Sequence, residues 1–238
     1  MNKYIKILLL LCSCLIFVSC SNQNQEDLNI FLAASLSSQV EKLADDYSKN
    51  INIDSSGSYD LSNKIILGAA PDLALLANYN LKNSFLKNFK FYDNYFDNEL
   101  ILIHKKNDEI DLNNICINNL ELGIADPTRA PLGKMSNEIL NENRCNKNYN
   151  LKVTSNASAL INMINLNYVD NAIIYKNDFS KINNDLNFSM SNYNFDKKMT
   201  YAFFINNNLE IKRKTEVIKF INYLKVQKNI LSTDKSSK

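Results

Sequence analysis

Hydroxyl-bearing and small residues gather where short apolar runs give way to helical patterns, and such junctions can hold an anion. Ala33-Ala34-Ser35-Leu36 closes the first apolar run and opens the first long helical pattern, which puts Ser35 at an N-cap. Ser55-Ser56-Gly57-Ser58 joins the second run to the next helix, with a glycine that permits close backbone approach. Gly123-Ile124-Ala125-Asp126-Pro127 ends a strand in a turn, and Ala130-Pro131-Leu132-Gly133 leads into a helix at Lys134, where Leu132 and Gly133 can offer amides. Ser155-Asn156-Ala157 repeats the arrangement before Ser158, and Ile173-Ile174-Tyr175 ends a buried strand with a phenol. In open α/β sheets ligands collect at the carboxyl ends of strands, where helix N-termini carry unpaired N–H groups and roughly half a positive charge. Each feature also has a plainer reading. Ser35 can simply cap its own helix, and Ser-Ser-Gly-Ser can be a flexible polar turn; with no Gly-Lys-Ser/Thr after it, it is not a phosphate-cradling P-loop.

The elements that must position these residues alternate short apolar runs with longer helical patterns, the signature of strands feeding crossover helices in a mostly parallel sheet. Asn29 to Ala33, Ile51 to Asp54 and Leu73 to Leu76 read as strands. Helices follow from Val40, Leu43, Ala44 and Tyr47 at helical spacing, and from Tyr59 to Leu67, with Gly68 where a left-handed residue is wanted. Glu99 to His104 is apolar and crosses to a second lobe, in which Leu120–Ala125, Leu151–Thr154 and Ala172–Tyr175 alternate with helices over Lys134–Glu142 and Ala157–Leu166. Met199 to Ile205 reads as a return strand. Lys214 to Lys228 is an amphipathic helix with Val217, Ile218, Ile221 and Leu224 inward. These readings divide the chain into lobe 1 (28–98 plus 205–231), lobe 2 (99–204) and a disordered tail (232–238).

The N-terminus looks like an export signal over residues 1–19: Lys3 and Lys6 precede an apolar run from Ile7 to Val18 that is too short to span a bilayer comfortably. Phe17-Val18-Ser19-Cys20 resembles a bacterial lipobox, so Cys20 is expected to carry lipid and residues 20–27 to form a polar tether. The alternatives are an ordinary cleaved signal or an uncleaved anchor. The expected location is therefore outside the cytoplasm, in the periplasm or on the cell surface. About 210 residues remain for the folded body, enough for one large or two small α/β lobes. With 27 basic against 25 acidic side chains, a net charge of +2, no nucleic-acid groove is suggested. Cys116 and Cys145 form a disulfide or stay as two free thiols.

Taken in order, Ala-Ala-Ser-Leu, the Ser-rich turn, Gly68-Ala69-Ala70-Pro71-Asp72-Leu73, Ala125-Asp126-Pro127 with Pro131 and Gly133, and Ile174-Tyr175 with Asp178 resemble the periplasmic molybdate-binding proteins of ABC importers, from about Leu28 to Leu231. The resemblance implies a two-lobe type II periplasmic-binding-protein fold, each lobe a mostly parallel sheet flanked by helices, with a hinge between them. It implies a monomeric solute-binding protein that takes molybdate or tungstate and passes it to the membrane permease of an importer, without a cofactor. Ser35 and Ser58 would donate through hydroxyl and amide, Tyr175 through its phenol, and Leu132 and Ala157 through backbone amides. The chain departs from the family pattern at the Gly-Ala-Pro-Ala-Asp motif, at Leu76 where serine is usual, at Ser158 where arginine is common, and at Leu132, which replaces a smaller residue. These departures bear on which anion the cage fits, so another oxyanion or small anionic solute is the alternative ligand.

An enzyme is not expected. His104 is the only histidine, reads as a hinge or surface residue, and would have to complete any Ser-His-Asp triad; no paired carboxylates or metal-ligand spacings stand out. A surface lipoprotein without a transport role remains the other class.

Overall fold

The computed structural model describes residues 27–48, 50–105, 110–118, 120–143 and 150–235. The signal segment, Cys20, most of the tether, Cys145 and residues 236–238 lie outside the described residues.

Eight strands form one sheet: β1 (Leu28–Ala33), β2 (Ile51–Ser56), β3 (Leu73–Ala77), β4 (Phe89–Lys105), β5 (Glu121–Ala125), β6 (Asn150–Thr154), β7 (Asn171–Tyr175) and β8 (Phe188–Asn206). Their order across the sheet is β2-β1-β3-β8-β4-β7-β5-β6. Seven helices accompany them: α1 (Ser37–Asp45), α2 (Ser58–Ile66), α3 (Asn83–Asn88), α4 (Leu112–Ile117), α5 (Pro131–Glu142), α6 (Ala157–Asn165) and α7 (Ile211–Lys235). β2-β1-β3 are mutually parallel, as are β7-β5-β6. Between these two blocks run the antiparallel pair β4 and β8, 17 and 19 residues long, each of which crosses from one block to the other.

The α/β class with flanking helices is as expected, but the two halves share one sheet because β4 and β8 continue through both. β4 pairs with β7 only from Leu100 onward, in keeping with the expected crossing at 98–99. The return comes earlier than 205, since Tyr201 to Ile205 already pair with β3. The β4–β8 ladder shifts register at four points between Phe91 and Ile103. Such bulges bend and twist the strands locally, and they lie where the sheet passes from one half to the other.

Side-chain alternation sorts the core. In β3, Leu73, Leu75 and Ala77 face the main core while Ala74 and Leu76 face a smaller cluster with Leu61, Ile65 and Phe85. In β8, Tyr201, Phe203 and Ile205 share the first face and Ala202 and Phe204 the second. On α7 the buried stripe is Val217, Phe220, Ile221 and Leu224, with Ile218 only partly buried; Tyr47 meets Phe220 edge-on at 5.0 Å. The helix runs on to Lys235, past the expected end at 231, for Ile211–Lys235 contains no glycine or proline to stop it. Gly68 takes φ 109°, the left-handed conformation expected after α2. Cys116 is disulfide-bonded, which removes the alternative of a free thiol there. Among the described residues no helix is long and apolar enough to cross a membrane.

Candidate functional site

Three helices start at one point. α2 begins after Gly57, α5 after Ala130 and α6 after Asn156, each following a strand (β2, β5, β6) whose carboxyl end delivers it there. Their first-turn amides have no intrahelical acceptor. Pro131 occupies the first position of α5 and has no N–H, so the first amide available from that helix is that of Leu132. Gly133 lets α5 start so close to β5: a Cβ there would lie 2.2 Å from the carbonyl oxygen of Ala125. The side chain of Asn156 accepts from the amide of Ala159 at 3.0 Å, which caps α6 and leaves the amide of Ala157 outside the capping bond. Asp126 shapes the turn before α5 by accepting from the amide and hydroxyl of Thr128, at 2.7 and 2.6 Å; these bonds hold its carboxyl below the usual range.

These N-termini line a single small cavity together with the Ala33–Ser35 turn, Ala77, Tyr175 and Tyr201. Ser35, Ser58, Leu132, Ala157 and Tyr175, the five residues singled out from the sequence, all contribute to its wall. No charged side chain does. The cavity measures about 20 Å³, counted as the room open to the centre of a water-sized sphere. Adding that sphere's ~1.4 Å radius gives a round guest of roughly 3 Å radius, the scale of one tetrahedral oxyanion and too small for a sugar or amino acid.

Ser58 is buried, and its oxygen accepts from the amide of Ala77 at 3.1 Å, which leaves the hydroxyl hydrogen to point elsewhere. Ser35 is not the N-cap of α1. A short 3-10 turn, Ala34–Leu36, intervenes, Leu36 takes the capping position, and the Ser35 hydroxyl sits 2.7 Å from that of Tyr201. Burial pushes the Tyr175 phenol well above its ordinary pKa, reinforced by the adjacent Tyr201 and by Asp178, so it stays protonated and able to donate. Asp178 is itself buried and pushed up by burial, an effect that Lys181, 2.7 Å away, opposes.

Tyr201 is the residue that sequence reasoning missed. It pairs with Ala77 in the middle of an apolar strand, where local sequence does not separate a cavity-lining tyrosine from a core one. The departures noted from the sequence fall in different places. Leu76 faces the small cluster on the far side of the sheet, Leu132 lines the cavity, and Ser158 donates to the carbonyl of Ala34 at 2.6 Å. His104 is buried, with its Nδ1 3.0 Å from the carbonyl of Lys105, and is not part of the cavity wall; the surface position considered for it is not what it occupies. Among the described residues no group of three or more His, Cys, Asp or Glu could hold a metal ion.

The two halves of the sheet touch around the cavity. Arg129 bonds Asp60 through Nε at 2.9 Å and through its terminal nitrogen at 2.8 Å. The hydroxyl of Tyr79 donates to Glu138, and the ammonium of Lys181 donates to the carbonyl of Ser35 at 2.9 Å. With the Ser158 bond, these contacts join first-half residues to second-half residues and close the cavity on its mouth side.

Comparison with known proteins agrees with this architecture. The substrate binding domain assigned to a molybdenum ABC transporter from Clostridium difficile superposes with a TM-score of 0.57 at 19% identity, over 84% of this chain and 92% of that one. The periplasmic molybdate-binding protein of Azotobacter vinelandii gives 0.63 at 14% identity, over 84% and 93%. The bromide-bound regulatory domain of HypT from Salmonella typhimurium gives 0.65 at 11% identity, over 87% and 97%, so the fold also serves regulators. No curated protein matches the sequence. A family profile described as bacterial extracellular solute-binding protein matches residues 28–229, and the chain belongs to that family.

Proposed function

We propose that the protein captures a naked tetrahedral oxyanion, molybdate or tungstate, outside the cytoplasm and delivers it to the permease of an ABC importer, held at the membrane by lipid on Cys20. The observation that carries this reading is the convergence of three helix N-termini and the hydroxyls of Ser35, Ser58 and Tyr175 on one small cavity with no charged side chain in its wall. Charge-assisted bonds to an oxyanion are about twice as strong as neutral ones. Helix dipoles offset the negative charge without the desolvation cost of a buried lysine or arginine. The two solved structures whose names mention molybdenum or molybdate share the fold, and the family is one of solute carriage.

The wall also favours anions that carry no hydrogen. Phosphate near neutral pH is protonated and needs an acceptor for its own O–H, and a lining without carboxylates supplies only hydroxyl oxygens and backbone carbonyls. Sulfate is discriminated by size alone.

Isothermal titration with molybdate, tungstate, sulfate and phosphate tests the reading. Binding of the first two, with phosphate weakest, is the expected result. Ser35→Ala and Tyr175→Phe should each weaken that binding by about 1–3 kcal/mol while the unfolding midpoint changes little. If only sulfate or phosphate binds, the site stands and the ligand changes; if both variants bind like wild type, the site assignment fails.

A further inference from the structure

The hydroxyl of Ser35 does not face the cavity alone. It lies 2.7 Å from the hydroxyl of Tyr201, a fully buried residue whose ring cannot swing away. Phe96 stacks on that ring at 4.9 Å and 19°, and Tyr175 meets it edge-on at 5.9 Å. The backbone of the Ser35 turn is fixed as well. The carbonyl of Ala34 accepts from Ser37 and Ser158, at 2.7 and 2.6 Å, and the carbonyl of Ser35 accepts from Lys181 at 2.9 Å. What remains free is the rotation of the Ser35 side chain and of its hydroxyl hydrogen.

A count of hydrogens limits that freedom. Two hydroxyls own two hydrogens, and the bond between them uses one, so an acceptor-only guest can take a single hydrogen from this pair. A phenol is the better donor of the two and an aliphatic alcohol the better acceptor. When an anion accepts from the serine, the serine oxygen becomes a still better acceptor, because hydrogen bonds in a chain polarise one another. We propose that Tyr201 is a positioning residue for oxyanion binding: its phenol donates to the oxygen of Ser35, fixes that side chain, and turns the one free hydrogen of the pair into the cavity. The inference rests on the oxyanion reading and adds a residue to it.

Tyr201→Phe keeps the ring and removes only the hydroxyl. In the full-length protein it should weaken molybdate binding about tenfold, close to the effect of Ser35→Ala. The Ser35→Ala/Tyr201→Phe double variant should bind no more weakly than Ser35→Ala alone, because the phenol then has no serine to orient. An equal fold-loss from Tyr201→Phe in both backgrounds, with wild-type binding intact, overturns the positioning role and leaves the oxyanion reading standing. Failure of wild type to bind any of the four oxyanions removes both. A second measurement needs no tyrosine variant. With carbon-13 at the tyrosine ring carbon bearing the hydroxyl, the Tyr201 resonance should move on Ser35→Ala and again when molybdate is added to wild type. A resonance unmoved by both changes overturns the proposal.

Discussion

Gly57→Ala is expected to lower oxyanion affinity roughly tenfold or more while leaving the ligand-free fold intact. Gly57 has φ −60° and ψ 139°, so alanine meets no backbone penalty there. The obstacle is across the cavity, where an added Cβ would stand 2.5 Å from the carbonyl oxygen of Arg129. That carbonyl belongs to a turn tied down by the amides of Arg129 and Ala130, which donate to the carbonyl of Asp126 at 3.2 and 3.0 Å. Moving the turn alone disturbs those bonds and the α5 N-terminus. Separating the two halves of the sheet relieves the clash at the cost of the Arg129–Asp60, Ser158–Ala34 and Lys181–Ser35 contacts. An alanine at 57 therefore acts as a wedge that disfavours the closed arrangement, and apparent affinity falls with the fraction of molecules that can close. Titration with molybdate gives the affinity, and urea unfolding of the ligand-free protein gives the stability. Weak binding with an unchanged midpoint is the expected pair of results. Wild-type affinity would mean that the turn yields locally and that this close approach does not matter to binding.

The site was legible in the sequence where it is local. A strand followed by Ser, Gly or Ala and then by an apolar helical pattern can be read without any partner strand, and Ser58, Leu132 and Ala157 all sit at such junctions. Ser35 was placed at the right junction with the wrong role, because a 3-10 turn of three residues shifts the cap to Leu36 and leaves no periodicity to read. Tyr201 was illegible because its position in the cavity depends on long-range pairing with Ala77, 124 positions earlier in the chain. The elements missed from the sequence have similar causes. α3 and α4 have six residues each, fewer than two turns, too short for a helical period to emerge. The first half of β4 carries Asp93, Asn94, Asp97 and Asn98, and its bulges break strict alternation, so a long strand looks like a polar loop.

The motif running from Gly68 to Leu73 entered as a mark of family resemblance, and its aspartate serves the scaffold rather than the cavity. Asp72 is buried and lies outside the cavity wall. One carboxylate oxygen accepts from Nε of Arg213 at 2.7 Å; the other accepts from the terminal nitrogen of Arg213 at 2.6 Å and from the amide of Asn29 at 2.7 Å. The carboxylate thus joins the start of β1, the entry to β3 and the first turns of α7. Only about a fifth of the Arg213 side chain is exposed, 18%. Asp72→Ala removes the charge partner and an acceptor at once, and leaves a largely buried guanidinium and a backbone amide with less to bond. The expected loss is about 3 kcal/mol or more of unfolding free energy, since breaking a buried ion pair from one side costs more than the pair is worth. Asp72→Asn keeps an acceptor for Asn29 while losing the charge, and should fall between alanine and wild type. Urea denaturation at fixed pH measures both. Because none of these contacts reaches the cavity, the folded fraction of each variant should bind molybdate within about twofold of wild type, well under the 1.4 kcal/mol that a tenfold change requires. A stability loss below about 1 kcal/mol would mean that water replaces the carboxylate at Arg213 without difficulty, and the conserved geometry at the base of α7 would then need another cause.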